Sequence, residues 1–120
     1  MPDVAEPIDD VFRALSDRTR RQVLARLSQG PASVSDLAGP FDMALPSFIQ
    51  HLQILERCGL VDSRKHGRVR TYRLVPERMK LAEEWLAQQR SLWERRLDQL
   101  DDYLLDMHRD SQSEIKETRP

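Results

Sequence analysis

The chain has 120 residues, of which 39% are apolar and 32% charged, with a formal net charge of -1, a length that suits one domain with a real core and is too short for two. No apolar run approaches the roughly 18 residues of a membrane span, the acidic start MPDVAEPIDD lacks the apolar stretch of a secretory signal, and a single cysteine cannot close an internal disulfide. A membrane span and a disulfide scaffold are excluded, and a cytoplasmic protein is expected.

The near-zero total hides a segregation of sign. Residues 11–30 carry five Arg against one Asp, and residues 45–74 carry six bases against Glu56 and Asp62, each segment summing to +4. Residues 76–107 hold five bases and eight acids, or -3. Local patches decide what a protein attracts, so a polyanionic partner stays open.

In chain order, Ile8, Val11, Phe12 and Leu15 have helical spacing. Ser16 or Asp17 then caps a second helix with Val23, Leu24 and Leu27 inward, ended by Gly30-Pro31. SVSDLAGPF reads as a short third helix with Ser33 as N-cap and a Gly-Pro stop. MALPSFIQHLQILERCGLV predicts a fourth, with Pro46 in its first turn and Gly59 as a left-handed C-terminal cap. LVDSRKHGRVRTYRLV changes period and reads as two strands with a tight hairpin at His66-Gly67. Pro76 opens a long fifth helix to about Met107, followed by a polar tail over 108–120 that is expected to be flexible.

The predicted fold is therefore mainly α with a small β-hairpin, a winged helix-turn-helix occupying 1–107 with a long C-terminal dimerisation helix over 76–107. On the fourth helix, Leu45, Phe48, Ile49, Leu52 and Leu55 project to one side at 100° per residue, while Ser47, Gln50 and Ile54 face away and His51 lies on the flank. Short polar side chains and a bidentate amide suit a helix that enters the major groove, where Gln50 can pair with adenine N6 and N7. A merely solvated face would look similar. Arg64, Lys65, Arg68 and Arg70 fall on the hairpin around Gly67, which fits a narrow, negative groove. A charged, solvated edge is the alternative there. Some of Arg18, Arg20 and Arg21 are expected to form ion pairs with Asp17 or the acidic fifth helix, and the three are not counted among the DNA-contacting residues.

The segment from VFRALSDRTRRQVLARL through HLQILERCGLV to GRVRTYRL resembles the ArsR/SmtB family of bacterial transcriptional repressors, which share the runs ALSDxTRRxILxxL, HLxxLxxxGLV and GRxxxYxL. The ending WLAQQRSLWERRLDQLDDYL is similar to a subgroup often encoded beside START-like (SRPBCC) proteins. The resemblance implies a homodimer that binds a palindromic operator on double-stranded DNA and represses its own or a neighbouring operon. It assigns base reading to Ser47 and Gln50, places His51 near the DNA backbone, and puts Arg64, Lys65, Arg68 and Arg70 on phosphates or the minor groove.

Metal sensing in that family needs a cysteine pair in the third helix, and SVSDLAG has none. A fifth-helix site needs a second histidine motif, and Asp106-Met107-His108 stands alone. Two ligands do not complete a tetrahedral zinc site, so no metal or other cofactor is expected, and no inducer can be named. Cys58 reads either as a redox switch, with Arg57 lowering its pKa, or as a small partly buried hydrophobe. Trp93, Leu97, Leu100, Leu104 and Met107 follow a heptad seam, with Leu81, Trp85 and Leu92 as a second stripe. One stripe is expected to pack on its own protomer and the other on a partner. No nucleophile elbow, phosphate-binding glycine loop or ligand cluster suggests an enzyme. The competing class is a winged helix that binds proteins without specific DNA binding.

Overall fold

The computed structural model describes residues 6–117, and its elements begin and end at the punctuation of the sequence. They are α1 (Pro7–Leu15), α2 (Arg18–Leu27), β1 (Ala32–Ser33), α3 (Val34–Ala38), α4 (Leu45–Arg57), β2 (Val61–His66), β3 (Val69–Leu74) and α5 (Pro76–Glu117). Asp17 caps α2 by accepting the Arg20 amide at 3.0 Å, and Ser33 caps α3 by accepting the Asp36 amide at 3.1 Å. Each side chain satisfies a backbone donor that the first helical turn leaves free.

The three strands form one antiparallel sheet in the order β1-β3-β2. Gly67 has φ +60° and no non-glycine residue among those described has positive φ. His66 pairs with Val69, so the turn has two residues, with Gly67 first and Arg68 second. That is the arrangement of a type II′ hairpin, whose twist matches the strands it joins. The sequence places the break at His66-Gly67; the paired register moves it one residue on and puts Arg68 at the tip.

Apolar side chains from all these elements meet in one core. Val11, Leu37, Phe48, Leu52, Leu55 and Val61 are each no more than 2% exposed. The end of α4 is a Schellman motif: the Leu60 amide donates to Leu55 O and the Gly59 amide to Glu56 O, both at 3.1 Å. Leu55 and Leu60, the apolar pair that accompanies this motif, are both buried. The motif stops α4 and starts β2 within three residues, so it sets the angle between helix and hairpin.

The chain divides into two units between Glu83 and Glu84, within the helix that the sequence reading assigns to a single domain over 1–107. The first unit contains the winged helix-turn-helix and the start of α5, where Ala82 joins the core. The second is the remainder of α5. The α5 helix extends to Glu117, beyond the end expected near Met107, and much of the expected flexible tail is helical. Residues 108–117 contain neither Gly nor Pro, and without a breaker a helix stops only where propensity and fraying balance. Residues 1–5 and the last three of the tail lie outside the described residues.

Three further expectations change. The strand β1 is too short, at two residues, to leave a periodic signature, and pairing with Thr71 and Tyr72 of β3 creates it. Leu45 is 52% exposed, because the first residue of α4 lies at the end of the face that Phe48 buries. Ile54 is half-buried instead of facing away, and packs against the core.

Gly59 has φ +79°, and a Cβ there would come within 2.8 Å of Arg78 Cγ. Arg78 can move aside, but the left-handed backbone cannot be relieved. Gly59→Ala should therefore destabilise the protein by about 1 to 2 kcal/mol, read as a lower midpoint in urea with an unchanged slope.

Candidate nucleic-acid interface

Burial of Phe48, Leu52 and Leu55 fixes the opposite side of α4 towards solvent. Ser47 and Gln50 are exposed there, as expected, and so is Gln53, which the sequence reading missed because it lies three residues past Gln50 on the margin of the projected face. Ile54 is withdrawn from that face: with Ala14 and Cys58 it lines a cavity of about 390 Å³ where α1 packs beside α4.

His51 is not on the open face. Its Nδ1 accepts a hydrogen bond from Arg20 Nη1 at 3.2 Å and lies 3.7 Å from Asp17 Oδ2. Arg20 can only donate, so Nδ1 must accept. The ring thus ties the middle of α4 to the N-terminus of α2.

Beyond the attraction between Arg20 and Asp17, two arginines of α2 are bonded to backbone. Arg20 Nε donates to Ala14 O at 2.9 Å and Nη2 to Arg13 O at 3.1 Å, while Arg21 Nη1 donates to Leu15 O at 2.8 Å. These are carbonyls of the last turn of α1, beyond the reach of its i→i+4 ladder, and Arg13 O also accepts from the Ser16 amide and hydroxyl at the cap. Two cations at a helix C-terminus also oppose its negative dipole end. Two of the five arginines in residues 11–30 therefore use their N–H donors to join α1 to α2.

In the wing, Arg73 forms a two-point bond to Asp62, with Nε to Oδ1 at 2.7 Å and Nη2 to Oδ2 at 3.0 Å. This bond holds the Asp62 carboxyl below the ordinary aspartate range and raises the Arg73 guanidinium. The pair removes the only acid on the hairpin from the electrostatic balance. Arg64, Lys65, Arg68 and Arg70 remain, all exposed. Arg70 Nη1 donates to Ser63 Oγ at 2.8 Å, and Ser63 Oγ donates to Glu56 Oε1 at 2.7 Å, which connects the wing to the last turns of α4.

Cys58 caps α4 and donates to Leu55 O at 3.3 Å. Burial pushes its thiol up, with Arg20 and not Arg57 as the opposing cation. The expected lowering by Arg57 is reversed, since desolvation of a thiolate outweighs a guanidinium that water can screen. On α5, the predicted seam is exposed in the single chain: Trp93 at 66%, Leu97 at 59%, Leu100 at 50% and Leu104 at 53%. Leu86 is exposed too, and with Trp93, Leu100 and Met107 it makes a series spaced by seven. The second stripe, expected to pack on the protomer, is also open, with Leu81, Trp85 and Leu92 between 37% and 49% exposed.

The helix-turn-helix domain family matches residues 15–64, from the end of α1 into β2. The crystal structure of an ArsR family transcriptional regulator is 54% identical, with a TM-score of 0.71, and the match covers 74% of this chain and 98% of that one. The chain belongs to the ArsR family. A helix-turn-helix transcriptional regulator of Mycobacterium tuberculosis is 40% identical to it over 68 residues, which are 57% of this chain and 64% of that relative; the match spans just under two thirds of the relative's length. The solution structure of a homodimeric winged helix-turn-helix DNA-binding domain from Mycobacterium bovis is 27% identical, with a TM-score of 0.56, and the match covers 77% of this chain and 94% of that one. In this ArsR-family chain the matched segment contains α4, the helix that carries Ser47, Gln50 and Gln53.

The junction behind α4 rests partly on Asp17. The Arg20 amide bonded to it holds its carboxyl below the ordinary aspartate range, with His51 and Arg20 adding to the effect and burial opposing it. A carboxyl with a depressed folded pKa stabilises the fold above its unfolded value of about 3.9 and ceases to do so as the pH falls through the folded value. Asp17→Ala should thus cost about 1 kcal/mol at pH 7 through the lost cap, and progressively less below pH 4. Urea unfolding at pH 7 and pH 3 would measure both.

Proposed function

We propose that the chain is a cytoplasmic, homodimeric transcriptional repressor that binds an imperfect palindromic operator and acts by binding, not by catalysis. The observation that carries this is the pairing of an exposed amide face on α4, Ser47, Gln50 and Gln53, with a wing whose one acid is neutralised and whose four other cations are exposed. Gln50 and Gln53 offer donor and acceptor together, the pattern that reads adenine in the major groove. The wing supplies phosphate contacts that set register and affinity.

Two copies follow from α5. An exposed seam of Leu86, Trp93, Leu97, Leu100, Leu104 and Met107 is more apolar surface than a monomer ordinarily leaves in water, and its spacing suits the same helix of a second copy. A two-fold axis then places two α4 helices on half-sites about one helical turn apart. The homodimeric Mycobacterium bovis domain supports the same assembly.

On an operator selected from random duplexes, Gln50→Ala should cost about 1 to 3 kcal/mol, with far less effect on unrelated DNA. Lys65→Ala and Arg68→Ala should each lower the salt dependence of binding by about one unit on any duplex. Equal losses from Gln50→Ala on both duplexes, or unchanged salt slopes, would remove these residues from the interface.

The double change Leu97→Glu and Leu104→Glu places like charges in the seam. Sedimentation should show a monomer, and a mobility shift should show operator affinity lowered at least about a hundredfold, as expected when one of two linked half-site contacts is lost.

A further inference from the structure

The cations of the wing are not equivalent. In the β2–β3 register Lys65 stands opposite Arg70 and Ser63 opposite Tyr72, and alternation puts these four on one face of the hairpin and Arg64 on the other. Like charges directly opposed across two strands repel. Arg70 does not simply swing away from Lys65: its Nη1 donates to Ser63 Oγ at 2.8 Å. The hydroxyl has one proton, and this goes to Glu56 Oε1 at 2.7 Å. The directions are fixed, since a carboxylate only accepts and a guanidinium only donates. Tyr72, paired with Ser63 across the strands and 3% exposed, holds this face of the hairpin on the core.

Glu56 belongs to α4, so the direction of Arg70 is set from the recognition helix as well as from its own strand. The intervening hydroxyl matters chemically. A direct Glu56–Arg70 ion pair would occupy two guanidinium donors and cancel the charge at contact distance. Through Ser63 only one of five N–H donors is used, and the rest stay available on the hairpin face that Lys65 shares.

We propose that Ser63 is a positioning residue for DNA binding: held by Glu56, its hydroxyl fixes the Arg70 guanidinium beside Lys65, so that α4 and the wing present one phosphate site at a set distance from Gln50. This rests on the DNA-binding reading. A phosphate oxygen between Lys65 and Arg70 relieves their repulsion, and the rigid link to α4 makes that contact possible only when α4 lies in register on its bases.

The test is a double-mutant cycle on a duplex that the wild-type protein selects from a random pool, with thermal unfolding measured on each variant. Ser63→Ala should bind about tenfold more weakly and lose about one unit of salt slope, with its unfolding midpoint within a few degrees of wild type. Ser63→Thr, which keeps the hydroxyl, should bind within about twofold of wild type. In an Arg70→Ala background, Ser63→Ala should have no further effect. Tyr72→Phe leaves the Ser63–Arg70 bond in place and should bind normally. Additive losses in the cycle, or a loss in Tyr72→Phe equal to that of Ser63→Ala, would make the hydroxyl a support for Tyr72 and overturn the inference. Wild-type protein that selects no duplex would overturn the DNA-binding reading itself, whereas selection followed by an additive cycle overturns only the role of Ser63.

Discussion

Phe48, Leu52 and Leu55 hold one side of α4 in the core at no more than 1% exposure, and the rest of the interface follows from that burial. Removing such side chains from water contributes about 1.5 to 3 kcal/mol each, so α4 cannot roll about its axis to exchange its faces. Ser47, Gln50 and Gln53 are presented as a consequence of what is buried behind them. The Schellman turn at Gly59 then carries the fixed orientation into β2, and the Glu56–Ser63–Arg70 chain carries it further along the hairpin.

The distribution of arginine shows how one residue type serves two ends. Arg20 and Arg21 lie where α1 and α2 meet, bonded to carbonyls at the end of α1, of which Arg13 O also accepts from Ser16. Arg73 is matched to Asp62 in a two-point bond. Arg64, Lys65 and Arg68 have no such bond among the described residues, and Arg70 gives up one donor. Two segments with the same formal charge of +4 thus differ in what they offer a polyanion. In the first, two guanidinium groups have donors bonded to backbone; in the second, Arg64, Lys65 and Arg68 are exposed with their donors open. A guanidinium bonded to a neutral carbonyl keeps its charge and its long-range pull, but the N–H donors used there cannot also contact a phosphate.

The second unit of the chain answers a different requirement. A helix of 42 residues, about 63 Å long at 1.5 Å per residue, cannot be stabilised by one small core, and its large apolar residues from Leu81 to Met107 are at least 37% exposed. Exposure of that extent is the mark of a surface completed by another chain. Cys58, by contrast, is withdrawn into the first unit, where burial keeps it a thiol and its hydrogen bond to Leu55 O closes the end of α4.

The sequence alone determined whatever depends on local chemistry. The caps Asp17 and Ser33, the left-handed Gly59, the turn glycine Gly67, and the helical spacing of Phe48, Leu52 and Leu55 are all legible because backbone geometry and periodicity act within a few residues. The winged helix-turn-helix order, the exposed Ser47 and Gln50, and the α5 seam follow from the same signals. Tertiary structure alone decided what depends on partners distant in the chain. The two-residue strand β1 exists because β3 is there to pair with it. His51, on the flank of α4, bonds to Arg20, thirty-one residues away, and Ile54 packs against the core. The division of arginines into those bound to carbonyls and those left open has the same origin. Hydrogen-bonding capacity can be read from a residue's identity, but which acceptor satisfies it is settled only when the folded chain brings one within 3 Å or so.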